Sequence, residues 1–127
     1  MQTRDKIKSA FFITFNGNCK RALKLYQTCF GGELYFDTFA QSITGLEELP
    51  VVGGFFISNK ITIYGSDLVH NEGRRTGNHI ALYVYCDSHE ERLLYLQTLD
   101  ANVPENYKEQ KLIEITDLYG VVWVFGV

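Results

Sequence analysis

The hydrophobic pattern of this chain changes period several times, and each change marks an element. Ala10 to Phe15 (AFFITF) is an apolar run broken by Thr14 and predicts a strand. Ala22, Leu25, Tyr26, Cys29 and Phe30 then recur at three- and four-residue spacing, which predicts an amphipathic helix. Asn18 is the expected N-cap and Gly31-Gly32 the expected stop. Glu33 to Ala40 reads as a second strand and Gln41 to Pro50 as a loop. Val51 to Ser58 and Ile61 to Gly65 form an expected hairpin turning at Asn59-Lys60. Ser66 to Gly77 (SDLVHNEGRRTG) is the longest polar stretch and the expected linker.

The pattern then starts again. His79 to Cys86 (HIALYVYC) alternates as a strand, with Ile80, Leu82, Val84 and Cys86 on one face and His79, Ala81, Tyr83 and Tyr85 on the other. Asp87 with Glu90 fits a capping box for a second helix, through Leu93, Leu94, Leu96 and Leu99 to Asp100. Val103 to Glu109 is ambiguous, because Pro104 suits only an edge or the start of a strand. Leu112 to Thr116 and Val121 to Phe125 close the chain as a hairpin around Asp117 to Gly120.

A slide of 69 residues superimposes the halves without a gap across strand and helix. Phe11 meets Ile80, Ile13 meets Leu82, Asn18 meets Asp87, and Leu25-Tyr26 meets Leu94-Tyr95. A slide of 60 puts Ile61 and Ile63 on Val121 and Trp123. The chain therefore reads as two copies of a strand–helix–three-strand unit: module one 9–66, linker 67–77, module two 78–127, together one domain. In each copy the helix covers one sheet face and leaves the other to be buried elsewhere. The face of Tyr83 and Tyr85 is aromatic with polar tips and suits a cup for an amphipathic ligand.

Composition narrows the classes. Apolar content of 46 % and charged content of 21 % over 127 residues fit a globular domain with a core. A net charge of −3, with Arg74-Arg75 the nearest thing to a basic cluster, argues against nucleic-acid binding. No apolar run approaches the roughly 20 residues of a membrane span, and MQTRDKIKSA lacks the apolar core of a signal segment. A cytoplasmic protein without membrane partners is expected. Cys19 and Cys29 lie about 15 Å apart along one helix, too far to bridge, so reduced thiols are expected. Trp123 and Cys86 fall on the helix side by register and read as core.

FNGNCKRALKLYQTCFGGEL, the GSD of Gly65 to Asp67, NHIALYV and TDLYGVVWVF together resemble the vicinal oxygen chelate superfamily of glyoxalases, bleomycin-resistance proteins and extradiol dioxygenases, with most likeness to its PhnB-like branch. The resemblance runs from about Ala10 to Val127. It implies an α+β fold, two βαβββ modules forming an incomplete barrel around a site, and a homodimer. The family's enzymes hold a divalent metal through His, Gln or Glu on the first and last strands of each module. Those positions fall here on Ala10, Tyr64, His79 and Val124. Ala and Val carry no donor and neutral Tyr is a poor ligand, so one ligand of four survives, too few for a site of three or four.

The expected function is accordingly a metal-free, cofactor-free protein holding a small amphipathic or aromatic molecule in the cup between modules. Its expected lining is His79, Tyr64, Tyr83, Tyr85, Phe12 and Glu114. The alternative is a metal-dependent lyase or dioxygenase of the glyoxalase type. No catalytic group is assigned: Cys86 reads as a buried thiol, and Glu114 is a candidate base only if His79 or a tyrosine lies within reach. Cys19 sits in a first helical turn, where the dipole could lower its pKa, and reads otherwise as packing. Asp67 reads as a turn residue bonding its own backbone, His70 and His89 as surface, and Arg74-Arg75 as anion contacts only if their loop covers the cup. A methyltransferase would need a nucleotide-type cofactor site on a parallel sheet, and the chain has neither.

Overall fold

The computed structural model describes residues 9–38, 51–67 and 80–127. His79, Arg74, Arg75 and His70 lie outside these residues. The chain divides into two compact units, Met1–Arg75 and Thr76–Val127.

The first unit holds β1 (Phe11–Thr14), α1 (Cys19–Phe30), β2 (Glu33–Thr38), β3 (Val51–Ile57) and β4 (Thr62–Ser66). Its sheet has the order β1-β4-β3-β2, with β1 parallel to β4 and the other pairs antiparallel. A parallel pair needs a crossover, and α1 with the β2–β3 hairpin supplies it. Cys19, Ala22, Leu23, Tyr26 and Cys29 of α1 are buried, together with Phe15, Phe56 and Ile63. The helix therefore seats on Cys19 and Leu23 where the spacing had suggested Leu25 and Phe30, both only half-buried. The chain turns after Phe30 through Gly31 and Gly32, both at positive φ. At Gly32 a Cβ would run into the Ile57 carbonyl, so glycine is required there for close approach as well as conformation. In the β3–β4 hairpin, Ser58 accepts from the amides of Lys60 and Ile61 and donates to the Ile61 carbonyl.

The second unit holds β5 (Leu82–Tyr85), α2 (His89–Thr98), a 3-10 turn (Tyr107–Glu109), β6 (Leu112–Thr116) and β7 (Val122–Gly126). Its sheet is β5-β7-β6, again with a parallel pair, β5 with β7. Two strands follow the helix among the described residues, where three were expected. The ambiguous Val103–Glu109 stretch is not a strand: Pro104 accepts from Tyr107 N and the segment tightens into the 3-10 turn. Leu82, Val84, Cys86, Trp123, Phe125 and Ile113 are buried on the α2 side, with Tyr95 against Phe125 at 6.0 Å between centroids. Leu94 is exposed and Tyr95 buried, so of the repeated Leu-Tyr pair only the tyrosine faces inward in both helices.

The α2 cap lies one residue later than expected, and the α1 cap falls on Asn18 as expected but without its side-chain bond. Ser88, not Asp87, caps α2, accepting from Glu91 N at 3.0 Å while the Glu91 carboxylate accepts from Asp87 N. The box is S-x-x-E, one residue later than D-x-x-E. The Asn18 side chain makes no cap bond to α1, and its Oδ1 is buried without a donor among the described residues. Asp67 takes over that role, as described below. No helix among the described residues is long and apolar enough to cross a membrane.

Candidate functional site

In each unit the face turned away from the helix carries the candidate residues. Strand register fixes the first face. Phe12 pairs with Tyr64, Tyr64 with Phe55, and Phe55 with Tyr35, so one aromatic stands at the same level on all four strands. The rings touch: Phe12 and Tyr64 centroids are 5.1 Å apart, and Phe55 meets Tyr64 edge-on at 4.4 Å. Phe12 is 52 % exposed and the other three are half-buried. Glu33 and Asp37 share this face at its β2 edge, and the Tyr35 hydroxyl donates to Glu33 Oε2 at 3.1 Å.

The second face follows the same logic. Tyr83 pairs with Val124 and Val124 with Glu114, while Tyr85 pairs with Gly126 and Gly126 with Leu112. Tyr83 and Tyr85 are 53 % and 56 % exposed, and Glu114 is exposed. The two units share one device. Tyr64 leans so that its hydroxyl lies over Gly53 on the neighbouring strand, and the Tyr83 hydroxyl lies over Gly126. A Cβ at either glycine would collide with the phenol. Glycine there leaves room for the tyrosine side chain to lie along the sheet.

Of the expected lining residues, Phe12 and Tyr64 thus meet on the first sheet, and Tyr83, Tyr85 and Glu114 share a face of the second. His79 lies outside the described residues. Phe55 and Tyr35 were missed. ELYF and GGFF each end in two consecutive aromatics, of which alternation puts one on each sheet face, and only the register was lacking.

The metal-ligand positions of the family do not form a donor set. Ala10 has no donor, Tyr64 packs between Phe12 and Phe55, and Val124 stands between Tyr83 and Glu114. Among the described residues no three His, Cys, Asp or Glu side chains converge to hold an ion. Ala10, Tyr64 and Val124 thus offer no imidazole or carboxylate and do not fit the metal that the fold's enzymes use.

Two aspartates from the resemblance motifs hold the frame. Asp67 bonds well beyond its own turn. Its Oδ1 accepts from Gly17 N (2.9 Å) and Cys19 N (3.1 Å), and its Oδ2 from Val51 N (3.0 Å). It thereby joins the end of β4 to the start of α1 and the start of β3, and its charge suits a helix N-terminus. Asp117 is buried. Its Oδ1 accepts from Tyr119 N and Val121 N, and its Oδ2 from the Trp123 indole at 2.9 Å. The D-x-x-G-x-x-W motif is this carboxylate, its turn glycine and its indole donor.

A third buried group was missed altogether. Arg92 on α2 is fully buried, donating from Nη2 to Tyr107 O at 2.6 Å and from Nη1 to Lys111 O at 3.2 Å. It ties the irregular stretch before β6 to the helix. Its sequence context, HEERLL, resembles a solvated helix start. His89 is not a plain surface residue either: it is half-buried, and its Nδ1 is buried without a partner among the described residues.

The thiols offer no nucleophile. All three cysteines are buried. Burial, then the nearby Asp67 carboxylate, push the Cys19 thiol far above its ordinary value of 9.0, overriding the helix dipole. We expect none of the three to react with iodoacetamide in the folded protein, and all three after denaturation, as counted by mass spectrometry. Above pH 9 the unfolded Cys19 ionises and the folded one does not. Stability from this group is therefore complete below that value and declines as pH rises through it.

No protein-family model matches this chain, and no curated protein matches it. Solved structures do. A PhnB protein from Bacillus cereus, described as a 3-demethylubiquinone-9 3-methyltransferase, superimposes with a TM-score of 0.75 at 22 % identity, over 94 % of this chain and 98 % of that one. A protein from Pseudomonas aeruginosa follows at 0.72 and 19 %, over 95 % and 97 %. The fold is that of the vicinal oxygen chelate proteins. A fosfomycin resistance protein from Listeria monocytogenes shares it at a TM-score of 0.59 and 18 % identity, over 96 % of this chain and 90 % of that one. At these identities the vicinal oxygen chelate likeness concerns architecture alone.

Proposed function

We propose that this protein binds a small aromatic or amphipathic molecule on the helix-free face of its first sheet, without a metal. The observation that carries this is the row Phe12–Tyr64–Phe55–Tyr35, which spans all four strands and in which the Tyr64 ring contacts those of Phe12 and Phe55. Tyr83, Tyr85 and Glu114 offer a second surface of the same kind, and His79 is proposed to join them by strand alternation. Such faces supply area and orientation with few rotatable bonds to freeze. Val124 and Ala10 replace the family's ligands, which supports binding over Lewis-acid chemistry.

Calorimetric titration of chelator-treated protein with neutral bicyclic aromatics tests this. We expect saturable binding that Phe12→Ala weakens by about tenfold, the worth of one good ring contact. Phe12 is exposed enough to be removed without unfolding the sheet. Stoichiometric binding of nickel, zinc or iron(II), abolished in His79→Ala, would contradict the metal-free reading. We also propose a cytoplasmic homodimer. Exposed Phe11, Ile80, Leu112 and Leu118 support association, and sedimentation equilibrium at micromolar concentration should return twice the chain mass.

A further inference from the structure

We propose that the ligand is a cation: an aromatic or amphipathic molecule bearing an amine or other positive group, and not an acid. This rests on the binding reading above and names the charge class that it leaves open.

Strand alternation assigns the residues of each face. The helix-free face of the first sheet presents Phe12 and Thr14 from β1 and Thr62, Tyr64 and Ser66 from β4. It continues with Gly53, Phe55 and Ile57 from β3 and Glu33, Tyr35 and Asp37 from β2. The second sheet presents Tyr83 and Tyr85, then Val122, Val124 and Gly126, then Leu112, Glu114 and Thr116. Among the described residues neither face holds a Lys, Arg or His; the first carries Glu33 and Asp37 beside Tyr35, whereas on the second Glu114 lies across Val124 from Tyr83 and His79 is proposed to join it, so the first face carries the assignment. Of the described basic residues of the first unit, Lys20, Arg21 and Lys24 lie on α1 and Lys60 lies in the turn between β3 and β4.

Chemistry then sets the sign. Aromatic faces attract cations through the ring quadrupole and give anions nothing comparable. The Tyr64 and Tyr83 hydroxyls lie over Gly53 and Gly126, and Phe12 and Tyr83 are more than half exposed, so ring surface is open to a ligand on both faces. Glu33, held by the Tyr35 hydroxyl at one end of the aromatic row, would meet an amine carried by a molecule stacked on Phe55 and Tyr64. An acid in that position would meet the same carboxylate with no Lys, Arg or His of that face among the described residues to offset it, and like charges at contact are strongly disfavoured. Phosphonates, phosphate esters and peptide carboxylates are thereby disfavoured as ligands.

Three naphthalenes of matched size separate the possibilities: 2-(aminomethyl)naphthalene (cation), 2-naphthalenemethanol (neutral) and 2-naphthoate (anion). Each is titrated calorimetrically into the full chain at low salt and again at 0.5 M NaCl. The expected order is cation, neutral, anion, with about tenfold between the first two and a smaller gap at high salt. Glu33→Gln should weaken the cation severalfold and leave the neutral compound unchanged, which also reports that the variant is folded. Equal affinity of all three, or preference for naphthoate, would overturn the cation assignment and leave aromatic binding intact. Failure of all three to bind would overturn both.

Discussion

Asp117→Ala is expected to destabilise the protein by about 3 kcal/mol, since it leaves three donors without their acceptor in a buried site at about 1 kcal/mol or more each. The donors are Tyr119 N, Val121 N and the Trp123 indole. In a domain of this size the loss corresponds to roughly 10 °C in Tm, measurable by thermal or urea unfolding. Asp117→Asn should lose part of it. The amide oxygen can keep Tyr119 N and Val121 N, but its NH2 then faces the indole N–H, donor against donor. Trp123→Phe removes the donor from the other side and strands Oδ2. A double-mutant cycle should show the pair coupled by about 1–2 kcal/mol, as expected for groups in one buried network. Additive losses would mean that Asp117 acts only through its turn.

Asp67→Ala is expected to cost about 2–3 kcal/mol, because Gly17 N, Cys19 N and Val51 N each lose a charged acceptor and the α1 terminus loses its negative charge. Its location makes the consequence wider than a loop effect. The carboxylate holds the start of α1, the start of β3 and the end of β4 at one point, so its removal should loosen all three. Amide exchange should quicken at Cys19, Val51 and Ala22 in the variant and stay unchanged in the second unit. The Asn18 side chain cannot substitute from its present position, because its oxygen makes no cap bond. A loss below about 0.5 kcal/mol would show that Asn18 rotates in to cap the helix, and would reduce Asp67 to a replaceable contact.

These two aspartates show where the sequence is informative and where it stops. The motifs containing them were legible, and their role was not. Asp67 bonds amides 48 and 50 positions earlier, which no local reading reaches. Elements with strong periodicity were legible almost to the residue: Leu112–Thr116 is β6 as expected, and the hairpin turns at Asn59-Lys60. Caps slipped by one because Asp87-Ser88 offers two oxygen side chains in succession, and only the extended Ser88 backbone decides between them. Val103–Glu109 misled because Pro104 permits a strand start but also accepts the bond that closes a 3-10 turn. Arg92 was invisible because burial of a guanidinium depends on two carbonyls 15 and 19 residues away.

The candidate site divides similarly. Alternation alone put Tyr83, Tyr85 and Glu114 on faces that register now confirms as helix-free. Joining Phe12 to Tyr64 required knowing that β1 runs parallel to β4, a pairing set by the α1 crossover. The absence of donor atoms at Ala10 and Val124 was legible from the outset.

The central claim is that the aromatic row of the first sheet is a binding surface that works without metal. Chemical-shift mapping of chelator-treated, isotopically labelled protein with 2-naphthalenemethanol tests it most directly. Saturable shifts concentrated at Phe12, Phe55, Tyr64 and Tyr35 are the predicted result. Shifts confined to other parts of the chain, or shifts that arise only after a divalent metal is added, would contradict it.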